Sequence, residues 1–218
     1  MSFAIPASIE TDSLAEQAYR SLEELLVTLR LAPGELVGEK DLVSLLDIGR
    51  TPVREAIQRL SAEGLLQILP RKGLLVTPLR RSDLSRIIEA RRVLERLLVV
   101  KAAERATTEQ RADLRRLASE LLSAHDDLES FFQLDQRLNQ LLENACDNRF
   151  LVNALTAMHS QCRRLWYHYR KQLDLPWSAE LHGGLANAVA EGDAAGAIRA
   201  SDEIIGILEG LIAQMLSL

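Results

Sequence analysis

The segment Gly49-Arg-Thr-Pro-Val-Arg-Glu-Ala56 places two arginines at the predicted start of a helix. Thr51 is typical of an N-cap and Pro52 of the first helical position, because the first backbone N–H groups have no partner within a helix. Arg54 then lies in the first turn, where the helix dipole disfavours a cation by about 0.3–1 kcal/mol. Arg50, four residues earlier, adds a like charge. This arrangement indicates that the compensating negative charge comes from another molecule, and arginine can bridge the two acceptors of a guanine or bind a phosphate.

Other polar side chains extend this pattern beyond Arg54. Gln58 shares the exposed face of the same predicted helix and is suited to adenine. Lys40 belongs to the preceding predicted helix, and Arg71 and Lys72 lie in a predicted hairpin turn. Basic and amide groups at three separate places favour a nucleic-acid interface.

A structural alternative is that Arg50 and Arg54 are solvated and loosely paired with Asp47 and Glu55. The overall net charge of −5 also opposes DNA binding. The stretch 38–81, however, carries eight basic and five acidic residues and is therefore +3. Because the distribution of charge matters more than its total, we favour a local DNA contact.

The elements that position these residues are predicted from apolar spacing and from turn residues. Leucines recur at helical intervals in the first segments, Gly64 ends the third helix, and Pro70 and Gly73 bracket a hairpin turn. Three helices followed by a hairpin make a winged helix-turn-helix over residues 1–78, with a linker over 79–82. The predicted elements are helices over 13–31, 39–46 and 51–64 and strands over 65–69 and 74–77.

The remainder of the chain, residues 83–218, keeps helical periodicity without strand-like alternation. We expect about six helices packed as a bundle, so that the fold class is mainly α: an N-terminal winged helix-turn-helix followed by an all-α helical bundle. Helix starts are predicted at Thr107, Asp126, Pro176 and Asp193, the first two from a cap residue followed three positions later by Gln or Glu.

Four polar residues of this bundle are predicted to point inward. Asp135 and Asn139 share a helical face with leucines, and His182 lies on the face of Leu185. Arg91 interrupts an apolar stripe, so its guanidinium needs a buried anion. That anion is Glu95, Asp135 or the carboxylate of a bound effector, and the sequence leaves these open.

The first domain resembles the GntR family of transcriptional regulators. The resemblance implies a dimer on a palindromic operator, with the third helix in the major groove and the hairpin in the minor groove. It assigns DNA contacts to Lys40, Arg50, Thr51, Arg54, Lys72 and Gly73. The chain departs from the family where Lys40 replaces a frequent Arg and Gly49 a frequent Ser or Thr. The matching segments are Pro33-Gly-Glu-Leu36, Glu39-Lys-Asp-Leu42, Gly49-Arg-Thr-Pro-Val-Arg-Glu-Ala-Ile57, Arg59-Leu-Ser-Ala-Glu-Gly-Leu65 and Arg71-Lys-Gly73.

The second domain is similar to the FadR-type (FCD) ligand-binding domain, through Glu89-Ala-Arg-Arg-Val-Leu-Glu95, Asp135, Asn148 and Glu191-Gly-Asp193. The resemblance implies dimerisation and an effector that is commonly a small carboxylate, which makes Arg91, Asp135, Asn139 and His182 the effector-binding candidates. Many members also bind a divalent metal through one Asp and three His.

The metal ligands that this resemblance implies are only half present. The corresponding positions hold Asp135, Asn139, His182 and, near the last one, Ile204. Three interpretations stay open for Asp135 and His182: a metal-free effector pocket, which we favour, a divalent metal site, or a structural hydrogen-bonded pair.

Several function classes are disfavoured by composition. No apolar run is long enough to span a bilayer and no secretory leader is evident, so we expect a cytoplasmic protein without membrane contact. Cys146 and Cys162 are expected to be reduced, packed thiols, and His125, His159 and His168 show no ligand spacing. We expect a ligand-responsive repressor or activator. The alternatives are a regulator without an effector and a helical metalloenzyme, the latter disfavoured because no nucleophile has a neighbouring base.

Overall fold

The structure is a computed structural model that describes residues 13–215. The chain divides into two compact units, Met1–Pro78 and Leu79–Leu218. The described part of the first unit contains three helices and three short strands. They are α1 (Leu14–Val27), β1 (Leu36–Val37), α2 (Glu39–Leu46), α3 (Arg50–Ala62), β2 (Leu66–Leu69) and β3 (Gly73–Val76).

The core of the first unit forms where α1 packs on α3 and α3 packs on β2. Leu22, Leu26 and Leu60 are fully buried there, as the helical spacing predicts. At one edge, the Arg59 guanidinium lies 3.5 Å from the centre of the Tyr19 ring, and the Tyr19 hydroxyl donates a hydrogen bond of 2.8 Å to Glu63. These contacts hold α3 against α1 through polar as well as apolar groups.

The predicted hairpin is confirmed as β2 and β3, which pair antiparallel from Leu66 opposite Val76 to Leu69 opposite Gly73. A third strand, β1, was not predicted from the sequence, and the sheet order is β1-β3-β2. The two residues of β1 pair with Leu74 and Leu75. A strand this short leaves no alternation to detect.

The predicted boundaries of the first and third helices are wrong by a few residues. α1 ends at Val27 rather than at 31, and Leu29 has a φ of 59°, which a helix cannot continue. α3 begins at Arg50, with Gly49 as its N-cap, so that Thr51 is the second helical residue and not the cap. The backbone N–H of Val53 donates to the Gly49 carbonyl, which closes the first turn two residues earlier than predicted.

The second unit consists of helices, as predicted, and six α-helices lie within its described residues. α4 begins at Arg81, within the predicted linker 79–82. The elements are α4 (Arg81–Arg105), α5 (Thr108–Ser123), α6 (Leu128–Cys146), α7 (Arg149–Tyr169), a 3₁₀ turn (Arg170–Gln172), α8 (Leu175–Glu191) and α9 (Ala194–Gln214).

Side-chain caps mark most of these helix starts. Thr107 accepts from the Gln110 N–H while the Gln110 side chain accepts from the Thr107 N–H, the reciprocal cap that the sequence predicts. Asp193 caps α9 as predicted. The cap of α6 is Asp127 rather than the predicted Asp126.

The central helix of the bundle is α4, which packs against α6, α7, α8 and α9. Its buried face therefore includes two charged residues, Arg91 and Glu95, among apolar ones. Within residues 13–215, no helix is long and apolar enough to cross a membrane.

Candidate nucleic-acid interface and effector pocket

The N-terminus of α3 is exposed and has no side-chain cap. Gly49 has no side-chain oxygen to accept from the first N–H groups of the helix. A Cβ at Gly49 would lie 3.9 Å from the Pro52 ring, so packing does not demand glycine at this position. The N–H groups of Arg50 and Thr51 consequently face outward with the positive end of the helix dipole, a geometry that binds anions.

Glu39 on α2 holds the two arginines of this helix start. The Arg54 Nε donates to Glu39 Oε1 at 2.8 Å, and the Arg50 Nε lies 3.8 Å from the same oxygen. The sequence alternative paired these arginines with Asp47 and Glu55, which is not what the structure shows. Since side chains on two helices meet here, the spacing along one helix could not identify the partner.

The loop between β2 and β3 depends on backbone conformations that few residues adopt. Arg71 has a φ of 63°, and Gly73 has a φ of 105°. A Cβ on Gly73 would lie 2.8 Å from the Val37 carbonyl oxygen of β1, too close for any side chain. Gly73 therefore lets the loop approach β1 closely, while Arg71 and Lys72 remain exposed.

All eight residues predicted to contact DNA lie in the first unit. Seven are exposed, and Gly73 is half-buried. The exposed ones fall at the start of α2, along one face of α3 and in the hairpin loop: Lys40, Arg50, Thr51, Arg54, Gln58, Arg71 and Lys72. Their role as DNA contacts stays a prediction.

The four predicted effector-binding residues meet at one internal cavity of the second unit. Arg91 comes from α4, Asp135 and Asn139 from α6, and His182 from α8. Helix α9 closes the cavity. The remaining lining residues are Glu95, Leu138, Leu185, Ser201, Ile204 and Ile205.

Glu95 is the anion that Arg91 contacts. The Arg91 Nε donates to Glu95 Oε2 at 3.0 Å, and both side chains are buried. His159 of α7, to which the sequence assigned no role, places its Nε2 3.0 Å from the same oxygen. Its Nδ1 lies 3.3 Å from Glu143 Oε1. A carboxylate at each ring nitrogen suits the doubly protonated, charged form of His159.

The electrostatics of this buried network favour its charged forms. Burial alone would raise the pKa of Glu95, but the charges of Arg91 and His159 lower the pKa to about 2. Burial likewise works against the charge of His159, and Glu95 and Glu143 outweigh it, so the pKa of His159 is raised. The thiol of Cys162 lies against Arg91, and burial raises the pKa of this thiol, consistent with a packed, reduced cysteine.

A second polar group faces the same cavity around Asp135. The His182 Nε2 lies 3.3 Å from Asp135 Oδ1, and the His182 Nδ1 lies 2.7 Å from the Ser178 carbonyl, to which it donates. The Asn139 amide donates to the backbone and the side chain of Asp135. Burial opposes ionisation of Asp135, but the hydrogen bond from His182, together with the charges of His182, Arg163 and Arg91, outweighs burial and lowers the pKa of Asp135.

The donor set around Asp135 does not fit the divalent metal that the FCD resemblance implies. Ile204 has no donor atom, and Asn139 offers only a neutral amide oxygen, which suits zinc poorly. Only Asp135 and His182 remain, where a zinc-type site needs at least three protein ligands. Within residues 13–215, no group of three or more His, Cys, Asp or Glu is placed to hold a metal ion.

Ser201 of α9 is the lining residue with an unmet hydrogen bond. Its hydroxyl is buried and has no hydrogen-bond partner within the described residues. The cavity has a volume of about 20 Å³, enough for roughly one water molecule. A larger guest must therefore displace the side chains that line the cavity.

Sequence reasoning missed Glu143, His159 and Ser201. His159 lies four residues after Leu155 and three before Cys162, both of which are buried, so helical spacing could have placed it inside. Ser201 stands beside small residues whose burial the pattern does not reveal. The Trp166 ring packs within the bundle, with its centroid 6.2 Å from that of the His182 ring.

Two family models match the chain, one for each unit. Residues 14–76 match the bacterial regulatory proteins of the gntR family, and residues 86–206 match the FCD domain.

Curated relatives include bacterial regulators of similar length. An uncharacterised HTH-type transcriptional regulator of Bacillus subtilis, YdhC, is 31% identical over 157 residues, which are 69% of this chain and 70% of the relative. The repressor RspR of Escherichia coli is 28% identical over 163 residues, 72% of this chain and 70% of the relative. A regulator from Streptomyces ambofaciens is 30% identical over 185 residues, 80% and 75% of the two chains.

Solved structures share the fold. E. coli McbR superposes with a TM-score of 0.83 at 23% identity, over 94% of this chain and all of the other (100%). A GntR regulator from Rhodococcus sp. RHA1 gives a TM-score of 0.69 at 20% identity, over 94% and 99%.

A winged helix-turn-helix joined to a helical bundle with a polar internal cavity defines a class, the two-domain DNA-binding transcriptional regulators. Within that class, this chain belongs to the GntR family and carries an FCD domain.

Proposed function

We propose that the protein regulates transcription as a homodimer on a palindromic operator and that a small carboxylate bound in the second unit controls it. The observation that carries this proposal is the exposed start of α3, which has no side-chain cap and carries Arg50 and Arg54 in its first turns. This surface combines a helix dipole, open backbone donors and two cations, and the phosphates and guanines of DNA satisfy all three.

The proposed contacts divide into positioning and reading groups. Arg54 and Gln58, on the outer face of α3, read base edges in the major groove. Lys40, Arg50 and Thr51 bind phosphates at the start of the two helices. The hairpin loop, with Arg71, Lys72 and Gly73, follows the adjacent minor groove. Phosphate contacts fix the orientation and base contacts give the sequence preference.

Arg54→Ala tests the reading helix. We expect operator affinity to fall by 1–3 kcal/mol, roughly 5- to 150-fold, because a bidentate contact to guanine is lost. The operator is a duplex enriched from a randomised library by the wild-type protein, and affinity is measured by fluorescence anisotropy at one fixed salt concentration. Arg116→Ala, which removes an exposed arginine of the second unit, serves as the matched control. Unchanged affinity of Arg54→Ala would show that α3 is not the reading element.

The homodimer is proposed to form through the outer face of α4. Val93 is 69% exposed and Leu97 is 44% exposed, one helical turn apart, while the opposite face of α4 is buried in the bundle. Adjacent exposed apolar side chains of this kind mark interaction surfaces. Val93→Glu is expected to give a monomer by light scattering and to weaken operator binding, whereas the control Phe150→Glu, at an exposed residue of α7, leaves the dimer intact.

The effector pocket is proposed to be the cavity between α4, α6, α8 and α9. Arg91 supplies the positive charge for a carboxylate, and Asp135, Asn139, His182 and Ser201 supply polar contacts. Because the cavity holds about one water molecule, binding is expected to displace lining side chains and thereby change the packing of α4. That displacement would transmit effector binding from the pocket to the other helices of the bundle.

Thermal-shift measurements with acetate, succinate and citrate test the pocket. A ligand at one hundred times its dissociation constant adds about 2.7 kcal/mol of stability, which raises the melting temperature measurably. Ser201→Ala is the informative variant, because its hydroxyl has no partner in the described chain and its loss leaves the ligand-free protein stable. The absence of any shift would favour a regulator without a carboxylate effector.

In this proposal the two units have different functions. Residues 1–78 bind DNA, and residues 83–218 dimerise and bind the effector. Because the proposed partner is chromosomal DNA, we place the protein in the bacterial cytoplasm.

A further inference from the structure

Glu39 occupies an unusual position for an acidic residue, since it lies within the surface proposed to meet DNA. It is the first residue of α2, and its carboxylate reaches across to α3, where Oε1 accepts from the Arg54 Nε at 2.8 Å. The Arg50 Nε lies 3.8 Å from that oxygen. A negative charge here reduces the attraction for every phosphate nearby, so its presence needs a reason other than affinity.

Fold stability is a weak explanation for Glu39. The side chain of Glu39 is 32% exposed and those of both arginines are 59% exposed. Ion pairs between side chains as exposed as these contribute little to folding. The α2 start is already capped by Asp41, whose side chain accepts from the Gly38 N–H.

The geometry of the contact leaves one edge of the Arg54 guanidinium available. Glu39 engages Nε, and within residues 13–215 the structure gives Arg54 no other hydrogen bond. The two terminal nitrogens therefore remain to form the pair of parallel hydrogen bonds that a guanine accepts. Fixing the guanidinium before binding also reduces the side-chain entropy that DNA binding would otherwise cost.

We propose that Glu39 is a positioning residue that sets the sequence specificity of this regulator: it orients Arg54 for guanine and opposes binding to DNA that offers phosphates alone. On an operator, the guanine contact compensates for the repulsion between Glu39 and the backbone. On other DNA, the repulsion is uncompensated. This inference rests on the proposed function, and it adds a residue that contacts neither base nor phosphate.

Glu39→Gln separates specificity from general affinity. The measured quantity is the ratio of affinities for a library-enriched operator duplex and for a mixed-sequence duplex of the same length. Glu39→Gln is expected to raise affinity for the mixed-sequence duplex and to lower the ratio about fivefold or more. Glu55→Gln is the matched control, because it removes an equal charge from an exposed residue of α3 that does not contact Arg54. We expect its ratio to stay within twofold of wild type.

A double variant distinguishes a positioning role from a structural one. In an Arg54→Ala background, Glu39→Gln should leave the base preference unchanged, because the guanidinium that it orients is gone. In the wild-type background, Glu39→Gln should relax the preference at the same base pair that Arg54→Ala relaxes. Glu39→Asp, which keeps the charge on a shorter side chain, should retain weak binding to mixed-sequence DNA but relax that same base pair.

The possible failures point to different conclusions. If Glu39→Gln keeps the wild-type ratio within twofold, or lowers the ratio equally without Arg54, the positioning role of Glu39 is refuted while DNA recognition by α3 stands. If the wild-type protein enriches no sequence from the library, the proposed function itself is refuted. Circular dichroism melting of each variant verifies that the first unit remains folded.

Discussion

Oε2 of Glu95 is shared by two cationic side chains, Arg91 and His159, each 3.0 Å away. Glu95→Gln keeps the size of this side chain and removes its charge. Arg91 would then be buried without its counter-ion, a change that costs about 3–5 kcal/mol in comparable pairs. The lowered pKa of Glu95 gives a similar estimate of the loss in unfolding free energy. A carboxyl with a pKa of about 2 in the folded chain and 4.5 in the unfolded chain contributes roughly 3 kcal/mol at neutral pH.

The pH dependence gives this prediction its sign. The folded pKa of Glu95 is below its unfolded value, so its contribution is complete above pH 4.5 and is lost as the pH falls from 4.5 towards 2. The stability difference between wild type and Glu95→Gln should therefore be largest near pH 6 and smaller by about 1.4 kcal/mol at pH 3.5. His159 has the opposite sign: its pKa is raised, so its contribution is lost as the pH rises above 6.5.

Urea unfolding followed by tryptophan fluorescence measures this difference in the second unit alone, because both tryptophans, Trp166 and Trp177, lie there. With a slope of about 2 kcal/mol per molar urea, the midpoint at pH 6 should fall by roughly 1.5–2.5 M. Glu104→Gln, on the same helix but in an exposed pair with Lys101, should change stability by less than about 1 kcal/mol. A Glu95→Gln midpoint equal to wild type, or a difference independent of pH, would refute the argument.

Three further predictions concern local features. Thr107→Ala removes the reciprocal cap with Gln110 and should lower unfolding free energy by about 1 kcal/mol in the same urea experiment, whereas Thr107→Ser should restore most of it. Gly73→Ala forces a Cβ towards the Val37 carbonyl at a φ of 105°, so circular dichroism should show a first unit destabilised by about 1–3 kcal/mol. Lys72→Ala should reduce the salt dependence of operator binding by about one released counter-ion without altering base preference, and an unchanged slope would remove Lys72 from the contact set.

Much of the architecture could be predicted from the sequence because it depends on local rules. Helical spacing, the Thr107 cap and the hairpin turn each act over a few residues, and the structure confirms them. The start of α3 was misplaced because Thr51 and Gly49 are both acceptable N-caps. Their choice depends on the turn between α2 and α3, where Asp47 adopts a left-handed conformation.

For the candidate site residues, the side-chain direction could be predicted but the contact partners could not. Helical periodicity correctly predicted inward-pointing side chains for Arg91, Asp135, Asn139 and His182. The structure brings all four to one cavity. Their partners could not be deduced, because these lie on other helices. The Glu95–His159 contact joins residues 64 positions apart, which no local pattern records. Helical periodicity predicts the direction of a side chain but not the residues that it contacts.

The two-residue strand β1 limits how far the hairpin can move relative to α2. Its backbone pairs with β3, and the Glu35 carbonyl accepts from the Val76 N–H, so the hairpin is tied to the segment that leads directly into α2. These pairings therefore couple the position of the hairpin to that of α2. If the hairpin contacts the minor groove as proposed, one inserted base pair would displace that contact by about 3.4 Å along the duplex, and the paired strands would not let the hairpin follow it.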